Sequence, residues 1–358
     1  MNILFAGGGT LGPVTPLLAV AKAWKSQDPS VSFAWAGTPH GPEREVVTKA
    51  GIPFFDIAVA RLPRYFSLEW LLLPFVFLRA LWQSWRLLSQ VKPDVIGAAG
   101  GYTSVPIIFV GWLRGIPSWV HQLDVEPLLS NRLVTPFVTW ITLTWPDSVS
   151  AFPSKKTAVL GNPVRQEILE GSKEKARQIF SLDSSVPTVL ILGGGTGSQW
   201  INQTMTDLAP WLMERANVVH QVGKGKMNES LRSLGGRYHV TELITDALPH
   251  AFAAADVVLC RAGMGTLTEL VALKKPTILV PLPNSPQEIN ARKVQEAGGG
   301  IVFFQKTAQG ADLKQAIERL LGNEKERQEL GERLGGLFPT DGASVIIKRL
   351  QEMGKRNR

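Results

Sequence analysis

Three glycine-rich stretches carry the clearest chemical signal in this chain: Gly7-Gly8-Gly9-Thr10-Leu11-Gly12, Gly100-Gly101-Tyr102-Thr103, and Gly193 through Gly197. Glycine lets the backbone reach positive φ and approach a ligand closely, and a following helix offers free N–H groups with a partial positive end. Each stretch is therefore predicted to cradle an anion, above all a phosphate, at roughly 0.3–1 kcal/mol per exposed charge–dipole contact. Tight strand-to-helix turns would use the same residues, but three of them at equivalent strand ends favour ligand binding. Two nucleotide chemistries are excluded. Gly7, Gly9 and Gly12 satisfy G-x-G-x-x-G, yet the second strand ends Trp35-Ala36-Gly37-Thr38-Pro39, without the acid that holds a dinucleotide's ribose. The Gly-Lys-Ser/Thr of a P-loop NTPase is missing from all three loops.

The elements that must position these loops follow from apolar patterning. Asn2–Ala6 reads as a strand running into the first loop, with a helix over about 16–26 behind it. Val31–Ala36, Val95–Ala98, Ser118–His121 and Ile141–Thr144 read as further strands, and a helical run starts near Pro106. The pattern restarts at Thr188–Leu192 and continues through Val218–Gln221, Val257–Cys260 and Thr277–Val280. Such alternation predicts an α/β fold of two Rossmann-like domains with parallel sheets, and a ligand in the cleft where their strand ends converge. Proline and glycine at Gly161-Asn162-Pro163 place the join there, giving domains at 1–160 and 161–340. A last helix within 341–358 is expected to pack back on the first domain.

Bulk properties agree with two globular domains. The chain has 358 residues, 44% hydrophobic and 19% charged. A net charge of +8 favours anionic partners. No RRM, KH or zinc-knuckle pattern occurs, so nucleic acid is not expected. Cys260 is the only cysteine and lies in an apolar run, which predicts a buried, inert thiol. The strand begins at once, without a charged leader, so a cytoplasmic protein is expected. The most apolar stretch, Trp70 to Leu81, is interrupted by Pro74 and Arg79 and falls short of the ~20 residues that span a bilayer. Around it, Arg61, Arg64, Arg79 and Arg86 lie among Tyr65, Phe66, Trp70, Leu71, Leu72, Phe75, Phe77, Trp82 and Trp85, with Glu69 the only acid. Two core helices with solvated arginines would also give this composition. The alternative is a face that docks on an anionic membrane surface.

Taken in order, the loops and their neighbours resemble the MurG family of bacterial transferases over nearly the whole chain. Gly8–Ala21 is similar to that family's G-G-T-G-G-H-x-x-P-x-L-A-x-A, and Gly100–Pro106 to its G-G-Y-x-S-x-P. Gly161–Arg165 matches G-N-P-V-R, Gly193–Asn202 resembles G-G-S-x-G-A-x-x-L-N, and His220–Gly225 resembles H-Q-x-G-K-G. Arg261–Leu270 resembles R-A-G-x-x-T-x-x-E-L, and Gln287–Ala291 resembles Q-x-x-N-A. The resemblance implies a GT-B fold and inverting transfer of GlcNAc from UDP-GlcNAc to lipid I, an undecaprenyl-diphosphate-linked acceptor, on the inner face of the cell membrane. It implies no cofactor. No D-x-D metal motif occurs, the nearest approach being Asp124-Val125-Glu126.

By the same resemblance, the second domain would bind the donor. Gly195, Thr196 and Gly197 would face its diphosphate with Arg165 nearby, and Glu269 would accept two hydrogen bonds from the ribose diol. Backbone near Ile244 would read the uracil edge. Met264, Gly265, Thr266, Gln287 and Asn290 complete the implied donor site. The first domain would hold the acceptor with Thr10, Leu11, Gly12, Gly101, Tyr102, Thr103, Asp124 and Asn131.

The sequence departs from the family in the acceptor half. Pro13 stands where the family has its histidine, the usual candidate base. The family's H-E-Q-N reads His121-Gln122-Leu123-Asp124, and Gly195 replaces a serine. Asp124, with His121 second, is the expected replacement base, since either can serve if its surroundings bring its pKa towards neutrality. A different lipid-linked acceptor and a non-catalytic UDP-sugar-binding subunit are the other two explanations.

Overall fold

The structure, a computed structural model, describes residues 1–59 and 69–355, the side chains of 69–72 excepted. The expected roles of Arg61, Arg64, Tyr65, Phe66, Trp70, Leu71 and Leu72 fall outside the described residues and side chains.

The chain divides into two compact units, Met1–Pro163 with Pro339–Arg358, and Val164–Phe338. In the first, seven strands form one parallel sheet: β1 (Asn2–Ala6), β2 (Ser32–Gly37), β3 (Phe54–Asp56), β4 (Val95–Ala98), β5 (Ser118–Gln122), β6 (Trp140–Leu143) and β7 (Thr157–Val159). The helices among them are α1 (Thr15–Gln27), α2 (Glu43–Lys49), α3 (Glu69–Val91), α4 (Ser104–Leu113) and α5 (Leu129–Val134). The strand order is β3-β2-β1-β4-β5-β6-β7, so the order reverses between β1 and β4. Ile3 pairs with Val95 and Ala6 with Ala98, which brings the loops after both strands to the same sheet edge. That switch point is where parallel sheets bind ligands.

The second unit repeats the plan. Its strands are β8 (Thr188–Leu192), β9 (Asn217–Gln221), β10 (Tyr238–Thr241), β11 (Val257–Cys260), β12 (Thr277–Leu279) and β13 (Ile301–Val302), in the order β10-β9-β8-β11-β12-β13. Its helices are α6 (Gln166–Leu169), α7 (Lys173–Phe180), α8 (Gln199–Met213), α9 (Glu229–Arg232), α10 (Leu248–Ala254), α11 (Met264–Leu273), α12 (Gln287–Glu296), α13 (Gly310–Gly322) and α14 (Glu324–Gly335). The switch point here lies between β8 and β11.

The central strands are buried along almost their whole length because helices cover both faces of each sheet. Leu4, Ile96, Val120 and Ile141 centre one core, and Val189, Ile191, Leu259 and Ile278 the other. The strands that periodicity did not anticipate, β3, β7, β10 and β13, are short and lie at or near sheet edges, where one side of the ladder is open. α15 (Ala343–Lys355) buries Ile346, Ile347, Leu350 and Met353, and packs on α1. A Cβ at Gly354 would meet Met1 and Val95, so this closely packed helix joins both ends of the chain in one unit.

Cys260 is fully buried on β11, and burial pushes its thiol up to about 12, which makes it inert at neutral pH. Among the described residues, no helix is long and apolar enough to cross a membrane.

Candidate active site

In the first unit, two glycine loops touch at the switch point. Gly101 has φ +90°, and a Cβ there would sit 2.9 Å from the Gly8 carbonyl oxygen. Only glycine fits, because the strained φ and the backbone clash coincide. Beneath the first loop lies Glu43, whose side chain is fully buried. It accepts hydrogen bonds from Gly9 N–H at 3.1 Å, from Thr38 N–H at 2.8 Å and from the Thr38 hydroxyl. The Gly9 N–H is thus occupied by Glu43 within the protein. Thr10 is exposed and Leu11 and Gly12 half-buried, so this part of the loop is open to solvent. Pro13 is buried against Gly7 and supplies no proton acceptor.

The second loop leads into α4, whose N-cap Thr103 makes no side-chain capping bond and whose first turn contains no acid. The Thr103 hydroxyl and the Asn131 side-chain oxygen are both buried without a hydrogen-bond partner among the described residues. Orphaned buried polar atoms are costly and therefore rare, and two beside one uncapped helix mark a place for a polar ligand.

The loop after β5 is organised by Gln122, a fully buried side chain. Its amide nitrogen donates to the Asp124 carbonyl at 2.8 Å and the Glu126 carbonyl at 3.0 Å. Its amide oxygen accepts from Asn131 at 2.8 Å and from Leu128 N–H at 3.3 Å. An amide can do both, whereas the family's glutamate at this position can only accept when ionised. Gln122→Glu, which restores the family residue, is accordingly expected to destabilise the protein by about 2–4 kcal/mol at pH 7. The loss should shrink as pH falls and the new carboxyl protonates. Denaturant unfolding at pH 7 and pH 5 checks this; equal stability to the parent at pH 7 would contradict it.

His121 sits on β5 with no exposed surface. One ring nitrogen, Nδ1, lies 2.8 Å from the Thr142 hydroxyl, and Nε2 lies 3.1 Å from the Asn162 side-chain oxygen. The Asn162 amide oxygen can only accept, so the imidazole donates through Nε2 and Nδ1 accepts from the Thr142 hydroxyl, whose oxygen also accepts from Trp119. Burial, offset in part by the Asn162 hydrogen bond, lowers its pKa to about 4. The ring is a neutral crosslink between β5, β6 and the segment around Asn162. Asp124, three residues on and half-buried, stands at the strand's carboxyl end.

In the second unit the implied donor residues gather around the β8–β11 switch point. The third glycine loop packs against the loop after β9: a Cβ at Gly197, where φ is +75°, would lie 2.1 Å from the Val222 carbonyl oxygen. Gly195 and Thr196 remain exposed at its tip. α8 is capped by Ser198, whose hydroxyl oxygen accepts from Ile201 N–H. Arg261 holds that cap: one nitrogen reaches Ser198 at 2.6 Å and Gln305 at 2.8 Å, while the other donates to the Val280 and Pro281 carbonyls. Nothing in the sequence motif distinguished this architectural role from ligand binding.

α11 is uncapped. Gly263 at its N-cap makes no side-chain bond, so the N–H groups near Met264, Gly265 and Thr266 are available to an anion. Gln287 and Asn290 on α12 stand beside this terminus; the Asn290 amide lies 3.4 Å from the Ala262 carbonyl, and the Gln287 amide lines Gly263. One turn along α11, Glu269 is 6% exposed and pairs with Arg165. Burial raises its pKa, while the Arg165 charge opposes the shift. Both guanidinium contacts fall on Oε1, leaving Oε2 without a hydrogen bond among the described residues. The Ile244 N–H is already bound to the Gln221 side chain at 2.8 Å, so recognition of a base at Ile244 fits its carbonyl better than its N–H.

Both units resemble known proteins. Residues 3–142 match the glycosyltransferase family 28 N-terminal domain, and residues 188–346 the glycosyltransferase family 28 C-terminal domain. A UDP-N-acetylglucosamine--N-acetylmuramyl-(pentapeptide) pyrophosphoryl-undecaprenol N-acetylglucosamine transferase from Geobacillus kaustophilus is 34% identical over 352 residues, covering 97% of this chain and 98% of its own. Its counterpart from Lachnoclostridium phytofermentans is 34% identical over 98% of this chain and 99% of its own. Among solved structures, MurG from Acinetobacter baumannii superposes with a TM-score of 0.74 at 23% identity, covering 98% of this chain and 99% of that one. A UDP-GlcNAc 2-epimerase from Neisseria meningitidis shares the fold alone, with a TM-score of 0.70 at 16% identity over 98% of this chain and all of that one. Sequence similarity along both units, and the two Rossmann-like sheets themselves, lead to one conclusion: this chain belongs to glycosyltransferase family 28, with the GT-B fold, among the transferases named MurG.

Proposed function

We propose that this chain transfers GlcNAc from UDP-GlcNAc, with inversion at the anomeric carbon, to lipid I, forming lipid II. The observation that carries this reading is full-length similarity to transferases of that name, supported by an uncapped α11 with Gln287 and Asn290 beside its start. UDP-GlcNAc would lie on the second unit, its diphosphate at the N-terminus of α11 and its ribose hydroxyls on Glu269. The acceptor diphosphate would rest on the loops at 9–12 and 100–103. Asp124 would take the proton from the acceptor hydroxyl as that oxygen bonds to the anomeric carbon and UDP departs. The helix dipole of α11 would stabilise the charge that accumulates on the leaving diphosphate.

Release of UDP from UDP-GlcNAc, with and without a lipid I analogue, tests the proposal. Acceptor-dependent release is expected. Binding of UDP-GlcNAc with no release in the presence of the acceptor would reject it in favour of another acceptor or a binding subunit.

Access to a lipid-linked acceptor gives a purpose to the outer face of α3. Phe75, Leu78, Trp82 and Trp85 are exposed there, with Arg86 stacked on Trp82 and Arg114 on Trp85. This face would dock peripherally on anionic headgroups of the inner membrane leaflet. Sedimentation with acidic-lipid vesicles is expected, weakening as salt rises. Absence of binding at both low and high salt would count against it.

A further inference from the structure

A cavity of about 280 Å³ lies in the first unit, bounded by α3, α4, α5 and the second glycine loop. Among the described residues, nine of the ten that line it are apolar, and the Tyr102 hydroxyl is the one polar side-chain group. Ala80, a small and buried residue of α3, and Val105 in the first turn of α4 both line it. Val76 and Phe77 extend the apolar wall, and Leu133 of α5 closes a rim. An apolar cavity of roughly 150 Å³ stays dry and takes a benzene-sized hydrocarbon. This one is nearly twice as large.

What adjoins the cavity defines its occupant. Tyr102 and Val105 line it, while Thr103, between them in sequence, buries an unpartnered hydroxyl at the uncapped start of α4. On α5, Leu133 lines the cavity from a half-exposed position. The cavity thus sets an apolar space against the second glycine loop and the uncapped start of α4, a pairing of a hydrocarbon site with an anion site. A ligand matching this pairing has an anionic head and a hydrocarbon chain attached directly to it. We propose that the cavity holds the first isoprene units of a polyprenyl diphosphate whose head rests on the second glycine loop; this rests on the lipid-linked acceptor reading above.

The test uses geranyl diphosphate and inorganic diphosphate titrated into the whole protein, without vesicles or detergent. The prenyl compound is expected to bind about a hundredfold tighter, the gain from burying roughly three to four methylene-sized groups. Leu133→Trp fills the rim from an exposed position, and Ala80→Met fills the wall. Either variant, with its thermal unfolding unchanged, should reduce that preference to within about threefold. If both variants retain the full preference, or if the parent binds the two compounds equally, the proposal is overturned. Equal displacement by a single-chain phosphatidylglycerol below its micelle concentration would also overturn it, since the cavity would then take acyl chains. If geranyl diphosphate binds as expected but no acceptor is glycosylated, the catalytic reading fails and the cavity assignment stands.

Discussion

Glu269→Ala should weaken UDP-GlcNAc binding about a hundredfold. A buried carboxylate that accepts two hydrogen bonds from a diol loses roughly 1.5–3 kcal/mol with the first bond alone, because the ligand hydroxyls left behind find no partner. Glu269 is 6% exposed, and its Oε2 has no protein partner among the described residues, so it is poised for such a contact. Glu269→Gln keeps one acceptor and should lose about tenfold. The effect on folding has the opposite logic. Burial raises the Glu269 pKa above the ordinary carboxylate value. A carboxyl whose folded pKa exceeds its unfolded value makes the fold less stable as pH rises through that interval. Removing it should therefore leave thermal stability near that of the parent, apart from the lost pairing with half-exposed Arg165. Donor affinity in the parent should fall as pH drops through the raised pKa. Calorimetric titration decides the matter: a change of less than threefold in Glu269→Ala would remove Glu269 from the donor site.

Asp124→Asn should lower kcat by about 10²- to 10⁴-fold, the usual contribution of a positioned general base. The donor affinity and the acceptor KM should stay within about threefold, because an asparagine preserves the shape of the loop. The parent's rate should climb with pH on its acid side, and the variant should lack that limb. Two observations disfavour the other candidates and so support the proposal of Asp124. Pro13 has no group that accepts a proton, and His121 is buried with both ring nitrogens in hydrogen bonds and a pKa lowered to about 4. A ring that already donates through Nε2, with Nδ1 facing a hydroxyl proton, has no lone pair to offer an acceptor hydroxyl. Full activity with an unchanged pH profile in Asp124→Asn would exclude Asp124 as the base.

The role of Gln122 bears on both halves of this argument. Its two donor bonds fix the backbone at Asp124 and Glu126, so the glutamine and the nearby aspartate form one local solution. A carboxylate has left the strand end, where an amide now ties the loop, and another has arrived two residues later. The Gln122→Glu variant thus reads loop stability, while Asp124→Asn reads chemistry.

What the sequence by itself determined was whatever rests on local pattern. Apolar runs buried on both faces marked the central strands, and the glycines after β1, β4 and β8 marked the loops because positive φ at Gly9, Gly101 and Gly194 admits little else. The two repeated strand–loop–helix openings therefore gave the two-unit fold, and ordered motifs gave the family. The edge strands β3, β10 and β13 escaped notice because two to four residues, open on one side, leave too short a pattern. Only the tertiary structure decided which polar groups are partners. Glu43 meets Gly9 across 34 residues, Arg165 meets Glu269 across 104, and Arg261 meets Ser198 across 63. Neither composition nor spacing could tell that Glu43 props a glycine loop, that Arg261 fastens a helix cap, or that His121 is a neutral crosslink. Those properties follow from burial and from contacts between distant segments, and both come into existence only when the sheets are assembled.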